Sequence, residues 1–174
     1  MTHVAGTTPY PWPWHGELDA QRLALLLISC PATSQPGEWP AAPAEGLASV
    51  IREAGGLVVD VRVRAGGPAP ASGTSVSAPG WDGFYASPLD TLLRRAGRDL
   101  LLLAGCCMET GVHSTMRSAN DRGYECLLVA DATRAAQEDL RAGAVSTIEM
   151  SGGIFGAVGA TTAVTTALTS KEWI

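Results

Sequence analysis

Few side chains in this sequence can do covalent chemistry. It has four cysteines (Cys30, Cys106, Cys107 and Cys126), three histidines and a single lysine, Lys171. A cysteine attacks as its thiolate, which needs a neighbouring base or a helix N-terminus, and N–H donors must then hold the oxyanion that forms. Cys107 lies in a turn opened by Gly105, behind an apolar run, and is the candidate nucleophile; the competing reading is a small buried turn residue. Cys30 ends another apolar run, and alternation turns it away from Ser29, which marks it as core. The four show no CxxC spacing and no paired framework, so a reducing, cytoplasmic setting is expected. Asp60 and Arg62 share one face of a strand, as a catalytic acid and base or as an ion pair at a sheet end. His113 falls in the first turn of a helix, with a solvated or N-cap role expected, and Glu109 is expected to bind backbone N–H groups where that helix begins.

Elements of alternating type position these residues. Leu23 to Ser29 (LALLLIS) is an apolar run of strand length, suited to burial on both faces. Ala44 to Ala54 reads as a helix ended by Gly55-Gly56, and Leu57 to Val63 as a second strand. Arg64 to Gly80, rich in Gly, Pro, Ala and Ser, reads as a loop. Ser87-Pro88-Leu89-Asp90 predicts a helix start with Ser at N-cap and Pro at N1; Leu89, Leu92, Leu93 and Ala96 then form its buried face. Leu100 to Ala104 is the third strand. Thr110 caps a helix to about Arg122, and Cys126 to Ala130 is the fourth strand. Asp131 or Thr133 caps a helix through about Ala142. A short strand near Thr147 to Met150 and a helix over Ala160 to Thr169 complete the reading. Strands separated by helices, without hairpin signals, predict one α/β domain: three layers, α/β/α, about a mainly parallel, Rossmann-like sheet. Residues 1–20 form an N-terminal arm carrying Trp12 and Trp14 among prolines, read as packing, a lid or ligand recognition, and residues 21–174 form the domain.

Composition narrows the function classes. With 46% apolar and 17% charged residues the chain suits a compact globular domain, and a net charge of −5 argues against a nucleic-acid partner. The longest uncharged apolar run, Leu23 to Ala32, is too short to cross a bilayer, and the first residues do not read as a signal peptide. Gly105 to Gly111 is not a GxGxxG fingerprint, so no dinucleotide site is expected.

Residues 101–133 (LLLAGCCMETGVHSTMRSANDRGYECLLVADAT) resemble the isochorismatase-like cysteine hydrolases, in which a strand and a Gly lead into a turn of the form T-[D/E]-x-C-V. An S/T-T-x-R-x-A helix, a D-R-G-Y and a strand ending in D-A follow, matched here by Ser114 to Ala119, by Asp121 to Tyr124 and by Asp131-Ala132. Gly152 to Val158 (GGIFGAV), Phe84-Tyr85 with Leu89-Asp90, and the Pro-Trp arm are similar to the biuret and ureido amidohydrolase branch.

The resemblance implies an Asp–Lys–Cys triad, and it implies where each member belongs. The Cys position falls on Gly111, the Asp position on Ser29 and the Lys position near Ala78, three residues before Trp81. None of the three carries the expected group, and Lys171 lies far along the chain from any strand end. Glu109 matches the family's acidic turn residue. Zinc-binding members use His and Asp after the second strand, where this sequence has no His, so neither metal nor cofactor is implied. Vinyl-ether-cleaving isochorismatases also carry Gly at the Cys position and need only the Asp as general acid; Ser29 lacks that acid.

The expectation is therefore a family member that has lost hydrolysis, with a leftover cleft lined by Ser29, Trp81, Cys107, Met108, Gly111 and Phe155. It would bind a small molecule, or join a homo-oligomer or a hetero-oligomer with an active homologue, using Gly153 to Val158 and the Trp arm as contact surfaces. The alternative is a divergent enzyme reusing the same pocket, for amide or ureido-type hydrolysis through Cys107 or for another reaction on a small metabolite, with Asp60 as a further fallback candidate.

Overall fold

The computed structural model describes residues 2–30, 41–65 and 73–170. Runs such as LALLLIS and LLLLAGC are apolar on both faces, so they are stable only where both faces are covered. They form the centre of one six-stranded sheet: β1 (Leu23–Ser29), β2 (Leu57–Arg62), β3 (Ser75–Ser77), β4 (Leu100–Cys106), β5 (Glu125–Arg134) and β6 (Ala157–Gly159). Every pairing is parallel, in the order β3-β2-β1-β4-β5-β6. The chain moves outward from β1 to β2 and β3, then returns to β4 on the other side of β1. In such sheets a reversal of this kind marks the carboxyl ends of the two central strands, here β1 and β4, as the usual place for a ligand crevice.

Side-chain alternation sorts the core into two layers. Leu23, Leu25, Leu100, Leu102 and Leu127 face α1 (Ala41–Glu53) and α5 (Thr161–Thr169). Ala24, Leu26, Ile28, Val61, Leu101 and Leu103 face α2 (Leu89–Arg95), α3 (His113–Asp121) and α4 (Glu138–Glu149). This is the α/β/α architecture expected, with a parallel sheet. The arm belongs to the first layer: Val4, Tyr10, Trp12 and Leu18 are buried in it, and Thr8 pairs with Val158 of β6. The two segments nominated as contact surfaces thus cover each other, with Tyr10 packed on Gly153, while Trp14 and Ile154 stay exposed.

Several local expectations are corrected. Residues 147–149 are the last turn of α4, not a strand, because Ile148 continues the buried face begun at Ala144. The stretch read as a loop over 64–80 contains β3, held by its register with Asp60 to Arg62; residues 66–72 lie outside the described residues. Neither Asp131 nor Thr133 caps the next helix, since β5 runs on to Arg134 and pairs beyond a bulge near Gly105. The Asp131 carboxylate instead accepts N–H of Thr161, 2.8 Å away, at the start of α5. Before α2 the N-cap is Pro88 rather than Ser87, although the Ser87 hydroxyl still accepts the Leu89 N–H at 3.3 Å. The helix expected from Thr110 opens as a single π-helical turn, Met108–Val112, before α3.

Candidate functional site

The crevice between β1 and β4 is built on a very close backbone approach. Gly105 has φ +134°, and a Cβ there would lie 2.7 Å from the Ile28 nitrogen, so only glycine fits. Cys106 then places its sulfur 3.6 Å from the Ile28 carbonyl. Cys107 follows in the left-handed region, φ +64°, and its carbonyl accepts N–H groups of Thr110 and Val112, hanging the π turn from this residue.

The turn faces β1 through Ile28 and Cys30, not through Ser29. Cys30 and Cys107 are joined as a disulfide, which corrects the expectation of unpaired cysteines. Periodicity had placed both in the core, but not beside one another across two strands. Gly111 is buried against the same face: a Cβ on it would meet Val63 Cγ2 at 3.1 Å and Ile28 Cγ2 at 3.6 Å. Met108 and Ala78 have no exposed surface, and Cys107 is 2% exposed. The Ala78 N–H donates to the Arg62 carbonyl at 2.8 Å.

Ser29 lies on the other face. It lines a cavity of about 550 Å³ with Leu27, Glu45, Ser49, Arg52 and Asp60, along one side of α1. The structure thus brings Ser29 and Asp60 together, and separately gathers Cys107, Met108 and Gly111 with Ile28, Cys30 and Val63. Trp81 is 40% exposed beneath the Arg64 guanidinium, and Phe155 stacks under Arg117 at 4.2 Å; neither lines the Ser29 cavity. Lys171 lies outside the described residues. Among the described residues no group of three His, Cys, Asp or Glu side chains is placed to hold a metal, and no helix is long and apolar enough to cross a membrane. The packing of Ile28 and Val63 on Gly111 was missed from sequence; the alternation of Val61 in β2 with Val63 just beyond it was its only trace.

Two residues near the turn have defined structural work. The Glu109 carboxylate accepts the Ala136 and Gln137 N–H groups, each at 3.0 Å. It therefore serves the start of α4 rather than of its own helix. Glu109→Ala is expected to cost about 1 kcal/mol of stability, read by urea unfolding. His113 is neither solvated nor a cap: it is 8% exposed, and Nε2 donates to the Ala144 carbonyl at 3.0 Å. Burial lowers its pKa below 6.5; the Ala144 carbonyl acts against this and the Arg117 charge with it. Below pH 6.5 the unfolded chain therefore takes up a proton that the folded chain resists, so stability is full above that pH and falls as pH drops. Between about pH 7.5 and about pH 5.5 the wild type should lose more stability in urea unfolding than His113→Gln.

A doubly wound parallel sheet with its crevice at the strand-order reversal is the frame of many α/β enzymes that act on small molecules. Within that class, the isochorismatase domain model matches residues 67–163, more than half of the sequence, and the chain belongs to the isochorismatase family. Over 95 residues it is 38% identical to the ureidoacrylate amidohydrolase RutB of Methylorubrum extorquens, a match covering 54% of this chain and 37% of that protein. The chain thus matches little more than a third of that relative's length. A cysteine hydrolase of Pseudomonas syringae pv. phaseolicola 1448A superposes with a TM-score of 0.75 at 17% identity, over 88% of this chain and 95% of that one. An isochorismatase family protein of Burkholderia thailandensis gives 0.72 at 22%, over 86% and 97%.

Proposed function

We propose that this chain is a non-hydrolytic member of its family that binds a small ureido or carboxylic acid in the Ser29–Asp60 cavity. The observation that carries the proposal is the packing at Gly111: Val63 and Ile28 methyl groups stand 3.1 and 3.6 Å from the point where a side chain would begin. A side chain there would press on Val63 by a few tenths of an ångström and meet Ile28 in ordinary contact, and Ser29, Ala78 and Gly111 are our assignments for the family's Asp, Lys and Cys. The neighbouring Cys107 is held in a disulfide, which leaves no thiolate for the alternative hydrolase reading while that bond stands.

The cavity offers what a ureido acid requires. The Arg52 guanidinium suits a carboxylate, the Asp60 and Glu45 carboxylates accept ureido N–H groups, and Ser29 and Ser49 supply hydroxyls. The hydrolase family and the RutB likeness make ureidoacrylate the first compound to try. A cytoplasmic location and assembly with further copies or with an active homologue belong to the same proposal. Calorimetry should detect ureidoacrylate binding that weakens about tenfold or more in Arg52→Ala and in Asp60→Asn. Binding unchanged in both variants, or no binding at millimolar ligand, contradicts this reading.

A further inference from the structure

We infer that Cys30 and Cys107 form a reversible thiol–disulfide couple that ties the end of β1 to the π turn after β4. The pair spans neighbouring strands: Cys30 directly follows β1, and Cys107 directly follows β4. Cys107 holds a left-handed backbone conformation, φ +64°, in which glycine is the usual residue. A cysteine persists there only if its surroundings over-determine it, and the bond to Cys30 does so. The Cys107 carbonyl carries the Thr110 and Val112 amides of the π turn, so release of its sulfur reaches Gly111 directly. On the other strand Cys30 adjoins Ser29 and, through it, the cavity with Asp60. The remaining cysteines do not compete. Cys106 and Cys126 are outside any disulfide, each with its sulfur against backbone carbonyls.

The co-reactant is a low-molecular-weight disulfide. The Cys30 thiolate attacks one sulfur of R–S–S–R, forming a Cys30–S–S–R mixed disulfide and releasing R–S⁻. The Cys107 thiolate then attacks the Cys30 sulfur and displaces the second R–S⁻. Two electrons pass to R–S–S–R, and the two cysteine protons leave on two R–SH molecules. A small dithiol runs the sequence in reverse. This inference is independent of the ligand reading.

Full-length native protein equilibrated with oxidised glutathione, then denatured, should show two free thiols, and four after dithiothreitol treatment. Mass mapping should find Cys30 linked to Cys107. The bond closes a sequence separation of 77 residues, so reduction should lower the Tm by about 5 °C or more, and Cys30→Ser/Cys107→Ser should lose that response. If the double variant does not fold, the wild-type peptide map decides alone. Four thiols after oxidised glutathione, a retained glutathione adduct, a link to Cys106 or Cys126, or a bond that dithiothreitol cannot open in native protein would each overturn the inference.

Discussion

Gly105→Ala is expected to abolish folding at 37 °C or to lower the Tm by about 10 °C or more. Two causes act at one position. The residue sits at φ +134°, outside the range of L side chains, and a Cβ would press on the Ile28 backbone, with the nitrogen at 2.7 Å and the carbonyl carbon at 2.8 Å. Backbone in a paired strand cannot move aside as a flexible side chain would: Ile28 and Gly105 are register partners of β1 and β4, the two strands that frame the crevice. The contrast is Gly97→Ala, at φ +67° with nothing within 4 Å of its Cβ, which carries only the conformational cost of about 1 kcal/mol. Thermal melts of the two variants side by side separate backbone collision from dihedral strain; equal shifts would refute the close-approach account.

Ala78→Lys carries the second large effect. Ala78 has no exposed surface, so a lysine there must bury its ammonium or shed the proton. Holding the amine neutral near pH 7, more than three units below its ordinary pKa, costs about 4 kcal/mol, a large share of a typical domain's stability. The sign follows from linkage. The unfolded chain binds the proton below about pH 10.4 and the folded chain resists it, so the variant should weaken further as pH falls from 10 to 6. Urea unfolding across that range provides the measurement. A variant as stable as wild type at pH 7 would mean that the place assigned to the family lysine is still open to water or to a carboxylate.

Much of the fold was legible in the sequence because its signals are local. LALLLIS, LVVDVRV and LLLLA are strand-length apolar runs, and β1 occupies Leu23–Ser29 as its run predicts. The motif residues from 101 to 133 carried the family, which the domain match bears out, while the solved structures bear out the fold. The capping residues were readable as caps but not as to which helix they serve. Glu109 reaches α4 and Asp131 reaches α5, 27 and 30 residues along the chain, because the loops at the carboxyl edge of a parallel sheet meet in space rather than in sequence. The candidate site was readable as residue types along the chain, not as a geometry. Alternation turns Ser29 toward α1 while Cys30 and Ile28 turn toward the π turn, and only strand register shows that Val63 and Ile28 close on Gly111. The Cys30–Cys107 pairing was invisible for the same reason, since it depends on two strands being neighbours.

The central proposal is that Ser29, Ala78 and Gly111 stand at the family's catalytic positions and supply no acid, ammonium or nucleophile, with Val63 packed tightly on Gly111. Ammonia release from ureidoacrylate tests it most directly, using wild-type protein in reduced and oxidised form beside a Cys107→Ser control. The account predicts release no faster than the uncatalysed background in every sample. Turnover by the reduced wild type that disappears in Cys107→Ser would contradict it.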